Sequence, residues 1–294
     1  MFSGSIPALI TPFEADGSFA ESAFRELVEW HIAEGSSALV ACGTTGESAT
    51  LPKDEHFHVV RVCAQQARGR VPVIAGAGSN DTRVAAENLT AAKSAGADAA
   101  LMVPPYYNRP SQEGIIQHFA HLASQTELPI ILYNVPARTV TDIQPATVVR
   151  IVEANPRTFV AIKDATGQLQ RVSEHRAALG ADWCQLSGND DLALAFNGMG
   201  GVGCISVTAN VAPRLCADFQ AACASGDYAR ARDLHDRLFP LHTAMFADAS
   251  PGPVKHALSR VRPDLPRGLR LPMTWPAAAA QAAVDAALSH AGVA

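Results

Sequence analysis

Lys163 closes the apolar, β-branched run FVAIK within the stretch FVAIKDATG, Phe159 to Gly167. Burying an ammonium there is costly unless the amine is paired or neutral. Only a neutral amine attacks a carbonyl carbon, and at the ordinary lysine pKa of about 10.4 roughly one amine in 2,500 is neutral at pH 7. Desolvation at the end of an apolar strand is the usual preparation of a Schiff-base lysine. The imine would turn a bound 2-oxo acid into an electron sink, able to become an enamine nucleophile. The competing reading is a lysine that snorkels to a rim and pairs with Asp164.

Tyr133 stands at the end of PIILY as Lys163 stands at the end of FVAIK. On neighbouring strands the two side chains would sit at similar depth, roughly 5 Å apart. A phenol there can move protons during imine formation and aldol addition, whereas a core tyrosine would bond a backbone carbonyl. GTTGES (Gly43–Ser48) puts two threonine hydroxyls and several N–H groups at a strand-to-helix turn, which suits a carboxylate. By itself that turn is a weak signal, because threonine and glycine also cap ordinary turns. In NVPART, the turn at Pro136 would hold the Arg138 guanidinium over the same rim, where a bidentate grip on a second carboxylate is natural; the alternative is a surface arginine.

These groups need a scaffold that brings strand ends together. Short β-rich runs recur at Ile6–Thr11, Ala38–Cys42, Val71–Ala75, Ala97–Val103, Pro129–Tyr133, Phe159–Lys163, Cys184–Ser187 and Val202–Val207, separated by stretches of helical period. The runs are apolar on both faces, as strands covered on both sides should be. Eight such units predict a (β/α)8 TIM barrel spanning 1–225, with chemistry at the C-terminal strand ends. A doubly wound sheet would want a phosphate-binding turn after its first strand, and that turn is missing. Beyond it, DYARARDLHDRLFPLHTAMFA, PGPVKHALSRV and TWPAAAAQAAVDAALSHAG read as helices with proline breaks, a small C-terminal helical domain over 226–294.

Composition narrows the partners. The 294 residues are 48% hydrophobic and 17% charged, enough for one large core. A formal net charge of -5 and a pI near 6.0 offer no basic surface to nucleic acid. No secretory leader is read at MFSGSIPALITPF, and no charge-free apolar stretch of about 18 residues appears, so the expectation is a cytoplasmic protein without a membrane segment. The six cysteines form no metal-binding spacing and read as reduced, mostly buried thiols. GMGGVG (Gly198–Gly203) matches a dinucleotide pattern but precedes a strand instead of following one. Asp190 and Asp191 read as caps of the helix DLALAF, and His56 and His58, two apart, fall on different helix faces, away from any shared metal. No metal site is expected.

In GTTGESATL, YYNRPSQEG, YNVPART, IKDATG and GGVGCISVTANVAP the chain closely resembles the dihydrodipicolinate synthase family. That family belongs to the pyruvate-dependent class I aldolases, which also hold N-acetylneuraminate lyases, and the likeness runs over nearly the whole chain. It implies condensation of pyruvate with L-aspartate-4-semialdehyde in lysine and diaminopimelate biosynthesis. By this resemblance Lys163 is the imine-forming lysine and Tyr133 the catalytic phenol. Thr44 and Tyr107 complete a proton relay, the family's second tyrosine coming from a neighbouring subunit. Thr45 holds the pyruvate carboxylate, Arg138 the carboxylate of the semialdehyde, and Gly188 and Ile205 line the site with backbone carbonyls. The resemblance implies no cofactor beyond the covalent imine and a homotetramer built as a dimer of dimers. Thr44 and Arg138 separate it from sialic-acid lyases; Pro104 and Asp164 depart from the common threonine and glutamate, Pro104 stiffening the loop of Tyr107.

Lysine-sensitive relatives bind their end product at a subunit interface, and Ala49, His56, Asn80 and Tyr106 match that site. Val84, however, stands where the lysine-gripping glutamate would be, and Lys53 adds a positive charge. Weak or absent feedback is the expectation. Two other functions compete: a pyruvate lyase or dehydratase of the same superfamily, which needs Lys163 and Tyr133 but not Arg138, and a catalytically silent barrel that only binds a 2-oxo acid.

Overall fold

A computed structural model of the chain describes residues 2–294. Eight parallel strands, β1 (Gly4–Pro7), β2 (Leu39–Ala41), β3 (Val73–Gly76), β4 (Ala99–Met102), β5 (Ile130–Asn134), β6 (Phe159–Asp164), β7 (Cys184–Ser187) and β8 (Gly203–Ser206), lie in the order β1-β8-β7-β6-β5-β4-β3-β2. A parallel bridge between Ala8 and Val40, with Leu9 N–H donating to Val40 O at 3.0 Å, joins the two ends of that order into a barrel. The strands are short and almost wholly buried, so side chains must be apolar toward both the lumen and the helices.

Around the barrel run α1 (Glu21–Ala33), α2 (Lys53–Ala67), α3 (Thr82–Ser94), α4 (Gln112–Gln125), α5 (Pro136–Thr139), α6 (Pro145–Ala154), α7 (Gln170–Leu179), α8 (Ala193–Gly198) and α9 (Pro213–Ala224). Three more helices follow, α10 (Tyr228–Ala244), α11 (Gly252–Val261) and α12 (Ala278–Ala291), with α10 against α9 and α12. No helix of the described residues is long and apolar enough to cross a membrane. Caps mark several helix starts as expected for short polar side chains: Asp81 accepts from Arg83 and Val84 N–H, Ser111 from Gly114 N–H.

Two apolar clusters result. The lumen cluster includes Ile6, Val40, Ile74, Ile131, Ala161 and Ile205; the larger one lies between strands and helices, where Phe119 and Phe159 meet edge to face at 5.8 Å. The expected first strand, Ile6–Thr11, is displaced: β1 covers Gly4–Pro7, and beyond it strand pairing thins to Ala8 N–H on Ser206 O and Leu9 N–H on Val40 O. There Ile10 N–H is satisfied by the side chain of Asn210, at 3.0 Å, instead of by a strand partner. β7 matches the expected run and the other strands differ from theirs by one or two residues at an end, while the single-turn helix α5 was not anticipated.

Burial also sets an acid limit. His31 on α1 is fully buried with neither ring nitrogen hydrogen-bonded, and burial, helped by Arg262, brings its pKa from 6.5 down to about 3. Burial likewise lowers His118, to about 4. Between the folded and unfolded values the unfolded chain binds the extra proton, so stability falls as pH drops below 6.5 and continues to fall toward 3. Relative to a His31→Leu variant, the wild type is expected to lose about 2 to 3 kcal/mol between pH 6.5 and 4.5 in urea titrations. An equal loss in both proteins would show that His31 does not supply that slope.

Candidate active site

One register detail aims the central pair. β5 and β6 pair Ile130 with Phe159, then shift by a residue so that Ile131 faces Ala161 and Tyr133 faces Lys163. Val160 is thus an extra residue on β6, a bulge, and without it Tyr133 would lie opposite Ile162. Beyond the bulge, alternation puts Ala161 and Lys163 in the lumen with Tyr133, and Ile162 and Asp164 on the other face. The Lys163 amine lies 4.1 Å from the centre of the Tyr133 ring, and both side chains are buried, at 5% and 7% exposure.

The alternative pairing of Lys163 with Asp164 does not form. Asp164 points away and its Oδ1 accepts from Thr166 N–H at 2.8 Å and from the Thr166 hydroxyl at 2.6 Å. Among the described residues Lys163 has no ion-pair or hydrogen-bond partner, so its amine is held beside a phenol and left free to react.

Around this pair stand the other strand ends. The turn after β2 is built on two non-glycine residues at positive φ, Cys42 at 54° and Glu47 at 55°. Such backbone is strained and persists only where its surroundings enforce it. Gly76 on β3 is required beside it, since a Cβ there would come 2.1 Å from Cys42 O. Within the turn Thr45 is buried and Thr44 exposed, presenting their hydroxyls at different depths. Gly188, just past β7, donates its N–H to Asp164 O at 2.7 Å, and a Cβ would collide with Ala165. Ile205 is fully buried in the lumen on β8.

Arg138 lies exposed on α5, at the rim, in a loop anchored at both ends. Asn134, at the end of β5, donates to Asp142 Oδ1 and Ile143 O and accepts from Ile143 N–H. Arg171 on α7 grips Asp142 with two hydrogen bonds of 2.8 and 2.7 Å, which hold that carboxyl below its ordinary pKa. Sequence reasoning missed Asn134, Asp142 and Arg171 as supports. Only the position of Asn134 inside YNVPART hinted at a role: its partners Asp142 and Ile143 lie outside that motif, eight and nine residues on, and Arg171 reaches Asp142 from 29 residues away.

Tyr107 is not brought to Lys163 and Tyr133. It stands at φ 68° and 90% exposed, on a loop where Asn108 Nδ2 donates to Asn80 O at 2.8 Å. Tyr106 is also exposed, at 39%. Of the other positions matched to the lysine-binding relatives, Ala49 is exposed and His56 Nε2 sits 2.7 Å from Gly76 O. Val84 on α3 is half-buried, and the Lys53 ammonium is already paired with Glu87 at 2.8 Å. The positive charge that Lys53 adds there is therefore partly offset by Glu87. Asp190 is corrected too: it is buried and accepts from Val207 and Thr208 N–H, tying the end of β8, instead of capping its own helix. His56 and His58 have separate partners, Gly76 O and Glu21, and GMGGVG leads into β8 as its order in the chain required.

Comparison with known proteins agrees with this geometry. Residues 1–291 match the dihydrodipicolinate synthetase family. The chain belongs to that family. It is 67% identical to the 4-hydroxy-tetrahydrodipicolinate synthase of Rhizorhabdus wittichii over 294 residues, covering 100% of both chains. It is 63% identical to the enzyme of the same name from Novosphingobium aromaticivorans, over 100% of this chain and 99% of the other. The solved structure of the chloride-inhibited dihydrodipicolinate synthase from Acinetobacter baumannii, complexed with pyruvate, superimposes with a TM-score of 0.96 at 42% identity, over 100% of each chain.

Proposed function

We propose that the protein is a 4-hydroxy-tetrahydrodipicolinate synthase, joining pyruvate to L-aspartate-4-semialdehyde. The observation that carries this is the Lys163 amine, without an ion-pair or hydrogen-bond partner among the described residues, over the Tyr133 ring at the C-terminal mouth of the barrel. The Lys163 amine adds to the pyruvate carbonyl, and the carbinolamine loses water to give an imine, with Tyr133 supplying and removing protons. Thr45 and the turn N–H groups hold the pyruvate carboxylate. Loss of a C3 proton gives the enamine, whose carbon bonds the aldehyde carbon while the aldehyde oxygen takes a proton. The substrate's own amine then attacks the imine carbon, closing the ring and releasing Lys163. Arg138 orients the semialdehyde carboxylate from the rim, and the carbonyls of Gly188 and Ile205 bound the site. The imine is itself the electron sink, so the reaction calls for no metal or organic cofactor.

Thr44 and Tyr107 extend the proton path from Tyr133. A phenol 90% exposed on a strained loop is poorly used in a lone chain, which supports completion of the site by a second copy. We place the enzyme in the cytoplasm as a homotetramer, a dimer of dimers. Residues 1–225 are taken as the catalytic barrel and 226–294 as its helical domain.

The test is intact-protein mass after incubation with pyruvate and borohydride, followed by a coupled reductase assay with the semialdehyde. A pyruvyl adduct on Lys163 together with reductase-dependent NAD(P)H loss is expected. An adduct without turnover would move the assignment to a lyase acting on another aldehyde; pyruvate binding without any adduct would leave only a 2-oxo-acid-binding barrel. Because Val84 supplies no carboxylate for a ligand ammonium, millimolar lysine is expected to leave the rate nearly unchanged. Inhibition at micromolar lysine would overturn that reading.

A further inference from the structure

The strained turn after β2 is held from outside the barrel. Glu47, at its centre, is 5% exposed, and Lys255 on α11 reaches it with Nζ 2.5 Å from Oε1. The other carboxylate oxygen accepts from Arg270 N–H at 3.0 Å. Lys255 also donates to Gly268 O at 2.7 Å, and its ammonium lies 4.5 Å from the centre of the Phe13 ring. The Arg270 guanidinium bonds Thr50 O at the end of the turn, Gly17 O, and both oxygens of Glu55 on α2. Gly268 is needed for this approach, since a Cβ there would meet Phe13 O at 2.3 Å. Thr11 adds a bond from its hydroxyl to Gly46 O at 2.7 Å.

We propose that Lys255 is a positioning residue for pyruvate, holding the Thr44–Thr45 turn in its binding conformation through the buried carboxylate of Glu47. The inference rests on the reading that Thr45 receives the pyruvate carboxylate. Its logic is electrostatic and geometric. Thr45 is two residues from Glu47, so a shift of the Glu47 backbone out of its positive-φ conformation moves both threonines. An isolated buried ion pair adds little net stability, whereas a misplaced binding group of about 1 Å costs on the order of 100-fold in activity. The charged groups facing Lys255 are Glu47 and Arg270, and Glu55 faces it only through Arg270. Burial brings the Lys255 pKa from 10.5 down to about 8, against the pull of Glu47, so its charge is lost within a range where the enzyme can be assayed.

The experiment compares wild type, Lys255→Met and Glu47→Gln by borohydride-trapped adduct against pyruvate concentration, with kcat and both KM values, from pH 7 to 9.5. At pH 7 each variant is expected to raise half-saturating pyruvate by about tenfold, while kcat of Lys255→Met and the semialdehyde KM stay within about threefold. The gap between wild type and Lys255→Met is expected to close as pH passes through about 8, because wild-type Lys255 then loses its charge as well. A general loss of stability would leave a gap independent of pH. Should Lys255→Met fail to fold by circular dichroism, Glu47→Gln decides, as it keeps the volume of Glu47 but removes the charge and leaves one carbonyl oxygen, so that its amide NH2 must face either the Lys255 ammonium or the Arg270 N–H. A folded Glu47→Gln, or a folded Lys255→Met, with wild-type half-saturation overturns the proposal. Absence of an adduct in the wild type overturns instead the functional reading beneath it.

Discussion

Lys163→Ala is expected to give no borohydride-trapped pyruvate adduct and a kcat lower by about 10^4 or more. The size follows from what is removed. Without the amine no imine forms, and the methyl group of pyruvate keeps an unactivated C–H bond, so no remaining residue supplies the electron sink. The fold should survive, because Lys163 makes no ion pair or hydrogen bond among the described residues and its neighbours in the lumen are packed by the apolar cluster. Intact mass and peptide mapping measure the adduct. Trapping at a different lysine in the variant would sink the assignment of Lys163.

The second large effect separates the synthase from its superfamily relatives. Arg138→Ala is expected to lower kcat/KM for the semialdehyde by about 100-fold, the worth of one bidentate charge-assisted grip at a partly wet site. Pyruvate trapping should be unchanged, because Arg138 stands on α5 at the rim while the imine forms on β6 inside the barrel. The side chain is exposed, and the loop is held by Asn134, Asp142 and Arg171, so its truncation leaves the backbone in place. A kcat/KM within threefold of wild type would favour a lyase or dehydratase with an uncharged second substrate.

The places of Lys163, Tyr133, Thr45 and Arg138 at strand ends were legible because each closes or follows an apolar run, and the C-terminal ends of barrel strands share one rim. The eight strands were legible because runs apolar on both faces can be satisfied only between a lumen and a helical layer. Asp190 was misread for a related reason. An aspartate before a helical stretch is locally a cap, and only the packing of β7 beside β8 offered it two better donors, Val207 and Thr208 N–H. Nor could Glu47 and Lys255 be matched from the chain, since the attraction between them acts across 208 positions and leaves no periodic trace.

By itself, then, the order of residues determined the barrel, the family and the kind of chemistry, all of which follow from short-range patterns of polarity and from motifs contiguous in the chain. Only the tertiary structure decided how those parts act together. The extra residue at Val160 turns Lys163 to face Tyr133, since a slip of one position would send it to the opposite side of β6. Likewise the Lys255–Glu47 contact, with Arg270 beside it, enforces a backbone conformation that the turn would not keep unaided. Facing and strain depend on which distant segments meet, and no local pattern carries that information.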